Sequence, residues 1–311
     1  MSDEQNVESV VIIGAGPAGL SAALYAARGE LTPLVLTGMQ PGGQAALTFA
    51  IENYPGFPDG VGGTELGDLF QKQAERFGAR VEFDSAVSVD FTTRPFKVKT
   101  YNREILAKTV IIATGASSVH LNVPGETVLA GHGVSYCATC DGWFFKDKEV
   151  IVVGGGDSAL EEALFLTRYA TKITIVHRRD EFRAGAILQT RVKESPKIQF
   201  ILDSVVKEIR GEDKVTSVLV ENVKTGERTE VRTDGVFVFI GHSPNNDMYV
   251  GQLEIDKRGY IRVEANMQTS VEGVYACGEA ADGDYKQVVI SAGMGAIAAI
   301  AATRYLEKIE G

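Results

Sequence analysis

The run Val10-Val11-Ile12-Ile13-Gly14-Ala15-Gly16-Pro17-Ala18-Gly19 decides the fold. Its first four residues are apolar and β-prone, which reads as a strand buried on both faces. A glycine turn comes next, and residues 20–28 continue in a helical pattern. Each glycine of such a turn has its own task. The first permits the tight bend, the second lets backbone approach a pyrophosphate, and the third lets helix pack on strand. The helix N-terminus then turns N–H groups toward the anion. A single motif of this kind is weak evidence without a strand before it and a helix after it, and here both flank it.

The pattern is written twice. Val150-Ile151-Val152-Val153 leads into Gly154-Gly155-Gly156-Asp157-Ser158-Ala159, and residues 160–168 are again helical in pattern. Each helix is succeeded by an apolar strand, at residues 34–36 and 173–176, so each copy opens as a βαβ unit. Thr37 and His177 occupy equivalent places, 21 residues after Gly16 and Gly156. Each copy closes on an apolar strand ending at glycine: Val110-Ile111-Ile112-Ala113-Thr114-Gly115, and Val236-Phe237-Val238-Phe239-Ile240-Gly241. The fold class is therefore α/β, with two dinucleotide folds. Residues 116–125 and 242–247 are rich in Ser, Pro, Asn and Gly and are the hinge candidates. The segment beyond the second hinge is too short for a third such domain. The first domain is thus expected to be discontinuous, 1–117 with 246–311, and the second, 118–245, to be inserted into it.

The two copies differ where a ribose is read. In the second, the usual acidic residue is replaced by His177-Arg178-Arg179, with Arg183 a little further on. An acid would accept from a free 2′-hydroxyl, whereas clustered arginines favour a 2′-phosphate, so the second site is expected to take NADPH. The alternative is a solvated basic face at a helix start, where cations are unfavourable. In the first copy Thr37 stands in the acid's place.

Cys137-Ala138-Thr139-Cys140 runs directly into Asp141. A CxxC pair can close a short disulfide, and at the opening of a helix one thiol is acidified. The alternative, half of a zinc site, needs two further ligands, and the chain offers only Cys277 and four histidines. No metal is expected. Cys277, in an apolar strand, reads as packing, and Asp141 is a candidate general acid for the departing thiolate.

The 311 residues carry a formal net charge of -10, which argues against nucleic acid or an anionic membrane as partner. The polar, acidic residues 1–9 do not read as a secretory leader, and an odd number of cysteines suits a cytoplasmic redox enzyme. The uncharged stretch from Gln287 to Thr303 falls short of a bilayer span and reads as a buried helix.

Taken together, these motifs resemble the low-molecular-weight, bacterial-type thioredoxin reductases over essentially the whole chain. The matching residues are Gly14 to Gly19, Gly42-Gly43-Gln44, Glu52-Asn53-Tyr54-Pro55-Gly56, Ala113-Thr114-Gly115-Ala116, Cys137 to Gly142, Gly154-Gly155-Gly156, His177-Arg178-Arg179 and Gly241-His242-Ser243-Pro244-Asn245. The resemblance implies two Rossmann-like FAD/NAD(P)-binding domains in a homodimer, with thioredoxin or a thioredoxin-like protein as substrate. FAD would lie on the first domain, held by Gly14, Gly16, Pro17, Ala18, Gly19, Gly43, Gln44, Asn53, Ala113, Thr114, Gly115, Gly278, Glu279, Lys286 and Gln287. NADPH would lie on the second, at Gly154, Gly156, Asp157, Ser158, His177, Arg178, Arg179 and Arg183. It also implies that the inserted domain rotates, that Cys140 meets the flavin, and that Cys137 attacks the substrate disulfide. This chain departs from the family pattern at Glu279 (usually Asp), Lys286 (usually Arg) and Trp143 (usually Phe). Those changes leave open a flavin-disulfide enzyme with another electron donor, or one running in the oxidising direction.

Overall fold

The computed structural model describes residues 7–48 and 51–311, with Cys140 described by its backbone alone; the first six residues of the polar start lie outside the described residues. The chain forms two units, Met1–Ser117 with Ser243–Gly311, and Ser118–His242.

In the first unit β1 (Val7–Ile13) feeds α1 (Pro17–Arg28). Pro17 sits at the helix start, where its missing N–H leaves no bond unmade. β2 (Leu34–Leu36) lies parallel to β1, with Val11 opposite Leu34 and Ile13 opposite Leu36. After α2 (Gly63–Arg76), β3 (Arg80–Glu82) continues the parallel order beside β2. β4 (Ala86–Asp90) and β5 (Phe96–Thr100) are antiparallel, and β5 in turn runs antiparallel to β6 (Glu104–Ile112). β5 buries Phe96, Val98 and Thr100 and exposes Lys97 and Lys99, the alternation of a half-covered sheet, whereas β1 buries Val10 to Ile13 without a break. β6 returns parallel to β1, and β7 (Ala116–Ser118) leads out of the unit.

In the second unit, β8 (Val134–Ser135) precedes a four-residue helix, α3 (Ala138–Asp141). The repeated motif then appears as β9 (Glu149–Gly154), α4 (Asp157–Leu166) and β10 (Lys172–Val176). α5 (Ala186–Glu194) and β11 (Ile198–Ile201) extend it. β12 (Ser204–Gly211), β13 (Val215–Asn222) and β14 (Arg228–Arg232) form a separate antiparallel sheet. Their apolar side chains, Val206, Ile209, Val218 and Val220, join the core beneath Ile151 and Val153. β15 (Gly235–Phe239) closes a parallel sheet in the order β11-β10-β9-β15-β8.

β16 (His242–Pro244) re-enters the first unit. There β17 (Val274–Ala276) pairs in parallel with β6, and α6 (Val288–Glu310) ends the chain. α6 is long and apolar enough to cross a membrane by length and composition, and one face of it packs against α1. Gly295 abuts α1 so closely that a Cβ there would stand 2.0 Å from the Ala18 carbonyl oxygen, and Ala298, Ala299 and Ala302 are fully buried. The expected helix is present and runs on to Glu310, but it is buried along one face only, with Val289, Ile297, Ile300 and Ile309 exposed.

Candidate active site

The two glycine turns are built alike. Gly14 has φ +112° and Gly154 has φ +151°, and a Cβ on either would lie 2.2 Å from a carbonyl oxygen at the end of the closing strand, that of Ala113 or of Phe239. Only glycine fits these corners. The third position differs. Gly19 is pressed against Gly14, 1.9 Å from its oxygen if given a Cβ, whereas Ala159 fills the equivalent place fully buried. The middle glycines face outward. A Cβ on Gly16 would approach only the Gly43 Cα, at 3.8 Å, and one on Gly156 would meet nothing within 4 Å.

Around the first turn lies a cleft wholly within the first unit. Of the fifteen residues expected to hold FAD, thirteen line it, among them Gly14, Gly16, Gln44, Thr114, Glu279 and Lys286. Gly19 lies beneath it, and Asn53 acts through Gln287, donating its amide to Oε1 at 3.0 Å. Glu279 lines the cleft with its carboxylate oxygen Oε2 buried and without a hydrogen-bond partner. Burial raises its pKa, opposed by Lys286 and reinforced by Asp282. Lys286 adopts φ +52°, its N–H held by the Asp282 carboxylate at 2.8 Å, and its ammonium lies over the Tyr260 ring, 5.6 Å from the centroid. Asn245 also lines the cleft, and its amide donates to the Thr114 carbonyl at 3.0 Å. Asn245 closes the Gly241-to-Asn245 motif, but nothing in its neighbourhood in sequence marks it as a partner of a residue 131 positions away.

The second turn carries the arginine cluster. Residues 177–185 form a loop between β10 and α5, so the cations are not at a helix start. The loop is tied to the turn at two points: Arg183 N–H donates to the Gly155 carbonyl at 2.8 Å, and Gly185 N–H donates to the Asp157 carboxylate at 2.8 Å. The guanidinium groups of Arg178, Arg179 and Arg183 form no ion pair among the described residues, and all three residues are exposed. His177 lies differently. It is 5% exposed, its ring packs on Gly155, and Nε2 donates to the Glu181 carbonyl at 3.1 Å. Burial chiefly lowers its pKa, the bond to the Glu181 carbonyl opposes this, and the neighbouring arginines lower it further; the ring braces the loop. Ser158 is exposed in the first turn of α4.

The third part is the cysteine segment, also in the second unit. Tyr136 donates its hydroxyl to the buried Glu126 carboxylate at 2.9 Å, and that carboxylate also accepts from the N–H groups of Leu121 and Asn122 at 2.8 and 2.6 Å. Ser135 Oγ bridges to both the N–H and the carbonyl of Cys137, each at 3.1 Å. Cys137 is disulfide-bonded. Among the described residues, no three His, Cys, Asp or Glu side chains are grouped so as to hold a metal ion. The side chain of Cys140 lies outside the described residues. Asp141 closes the turn, its N–H donating to the Cys137 carbonyl at 3.2 Å. Trp143 and Phe144 stand exposed just beyond, their rings 6.2 Å apart. Cys277 is a fully buried free thiol in the first unit, pushed up to about 12 by burial.

Two glycine turns, an arginine-rich loop and a disulfide define a flavin and nicotinamide oxidoreductase acting on disulfides. The chain belongs to the pyridine nucleotide-disulphide oxidoreductase family, whose model matches residues 8–295. It is 49% identical over 304 residues to a thioredoxin reductase of Rickettsia felis, covering 96% of this chain and 98% of that one. It is 46% identical over 309 residues to a thioredoxin reductase of Mycolicibacterium smegmatis, covering 99% of both. Among solved structures, the Lactococcus lactis thioredoxin reductase in its FR conformation superposes with a TM-score of 0.94 at 42% identity, over 97% of this chain and 99% of that one. The fold and the residues fit the family's cofactors, FAD and NADPH. The close-packed glycine corners leave backbone open to a pyrophosphate, and the orphaned Glu279 oxygen awaits a hydroxyl donor such as a ribityl chain.

Proposed function

We propose that this protein is an NADPH-dependent thioredoxin-disulfide reductase. FAD sits on the discontinuous unit and NADPH on the inserted unit that carries the cysteine pair. The observation that carries the reading is that one continuous unit holds both a disulfide-bonded Cys137 and an open glycine turn with three unpaired arginines tied beside it. Bound FAD supplies a carrier that takes an electron pair from the nicotinamide and passes it to a disulfide.

The chain's own residues do the rest. Gly154 and Gly156 present backbone to the pyrophosphate, while Arg178, Arg179 and Arg183 take the 2′-phosphate. Cys137 and Cys140 accept two electrons as their bond opens. Cys137 then attacks the substrate disulfide, Cys140 resolves the mixed disulfide, and Asp141 supplies a proton to a departing thiolate. The substrate is thioredoxin or a thioredoxin-like protein. The enzyme works as a cytoplasmic homodimer, as the likeness to bacterial thioredoxin reductases supports.

The test is anaerobic titration with NADPH while flavin absorbance is monitored. Bleaching that requires two NADPH per FAD, one for flavin and one for disulfide, is the expected result. A flavin that dithionite reduces but NADPH does not would overturn the donor assignment and favour another electron route on the same scaffold.

A further inference from the structure

A thiolate at reduced Cys137 would need a group to stabilise it, and its own helix is a weak one. α3 spans only Ala138–Asp141, a single turn, so few peptide dipoles line up behind the sulfur. Asp141, which ends α3, and Glu162, half-buried on α4, the helix packed against the segment through Phe165, Leu166 and Gly142, are acids and supply no cation for a thiolate. Tyr136, the preceding residue, directs its proton to Glu126. A short polar contact does reach the sulfur: Thr139 Oγ1 is 3.3 Å from Cys137 Sγ. A disulfide sulfur has no proton, so the hydroxyl is the donor. The backbone on either side is fixed, by Ser135 before Cys137 and by the Asp141 N–H to Cys137 carbonyl bond after it.

We infer that Thr139 is a positioning residue whose hydroxyl donates a hydrogen bond to the Cys137 sulfur and stabilises its thiolate once the disulfide is reduced. This deepens the reading above by naming what keeps Cys137 poised for attack, and it rests on that reading only for the identity of the protein substrate. In the step concerned, the Cys137 thiol gives its proton to solvent and the thiolate attacks one sulfur of a disulfide. A new S–S bond forms, the old one breaks, and the other sulfur leaves with the electron pair. A hydrogen bond to a thiolate lowers the thiol pKa, and it also lowers the nucleophilicity of the thiolate, by a smaller factor.

The experiment uses FAD-loaded protein with Cys140→Ser, which leaves Cys137 and the buried Cys277 as the only thiols. The probe is dithiobis(nitrobenzoate), a small aromatic disulfide whose released thiolate is measured by absorbance across a pH series. Neither NADPH nor thioredoxin is present, so this result stands apart from whether thioredoxin is the substrate. On adding Thr139→Val the thiolate fraction at neutral pH falls about tenfold, which a Brønsted coefficient near one half reduces to a rate about threefold slower. At a pH above the thiol pKa the order reverses and the Val variant reacts faster. Thr139→Ser restores the parent profile. A general loosening of the loop would change the rate in one direction at every pH. Identical pH profiles for Val and parent overturn the inference. Should the Val variant fail to fold, Thr139→Ala takes its place, and equal profiles for Ala and Ser overturn it as well.

Discussion

Replacing Gly156 by Ala separates a ligand site from a structural corner. A methyl here meets no atom within 4 Å, and the residue has φ -97° and ψ -178°, which any amino acid adopts. Gly156 is also the N-cap of α4, where Ala costs less than about 1 kcal/mol relative to Gly. The folded protein is therefore expected to keep its FAD and to lose only a few degrees in Tm. The methyl does occupy the space through which backbone N–H groups reach a phosphate. One charge-assisted hydrogen bond is worth about 1.5 to 3 kcal/mol, so NADPH should bind roughly tenfold to 150-fold more weakly. Gly154→Ala is the contrast. Its Cβ would lie 2.2 Å from the Phe239 oxygen and 2.7 Å from the Ala159 Cβ at φ +151°, so the second unit itself should be destabilised by about 2 to 5 kcal/mol. The assays are thermal unfolding and stopped-flow flavin bleaching at varied NADPH. An intact Gly156→Ala protein with unchanged NADPH dependence would refute the assignment of this turn to the pyrophosphate.

The same geometry carries further expectations. Changing Arg178 and Arg179 together to Ala should remove most of the preference for NADPH while leaving NADH kinetics nearly unchanged, as measured by anaerobic flavin reduction; equal wild-type rates with both nucleotides would refute it. Cys137→Ser and Cys140→Ser should each abolish disulfide turnover with FAD retained, whereas Cys277→Ser, at a fully buried thiol, should alter turnover little; turnover assays and flavin spectra decide. Burial, aided by the charge of Glu161, pushes Glu162 up to about 8. The unfolded chain ionises this group first, so it binds fewer protons than the native state and stability falls as pH rises from about 4.5 to about 8. Glu162→Gln should flatten that part of the Tm-against-pH curve, and an unchanged slope would show that Glu162 is already ionised in the native protein.

The architecture is legible in the sequence because its decisive signals are local. A continuous apolar run, a glycine corner and a helix occupy some twenty consecutive residues, and Gly14 and Gly154 each meet the same steric demand in three dimensions. The antiparallel sheet β12–β14 leaves no such punctuation. Its strands alternate weakly, with Arg228 to Glu230 all exposed, so its existence depends on a core contributed by β9. Within the site, residue type predicts placement where a side chain acts on its own neighbourhood, as with Gln44 or Lys286 at the cleft. It is less informative where the role is set by distant chain. His177 reads as part of a basic cluster, yet the close approach of Gly155 turns its ring inward as a brace. Asn245 reaches Thr114 only because the chain returns to the first unit. The CxxC pair reads as opening a helix, and that helix proves to be one turn long, with the Thr139 hydroxyl 3.3 Å from the Cys137 sulfur.

The interruption of the first unit by the second sets an order of events on the ribosome. Ser118–His242 is continuous and can close its own parallel sheet as soon as β15 has emerged. The first unit cannot. β6 lacks β17, and the small-residue face of α1, including Ala18, Ala22 and Ala26, lacks α6 until residues 274–310 have been made. During that interval a bare strand edge and an apolar helix face are displayed to the cell, which are the features that invite aggregation and chaperone binding. The inserted unit should therefore acquire protease resistance first in a nascent chain, and the flavin cradle, which needs both Gly14 and Gly278, is assembled only after the inserted unit has emerged.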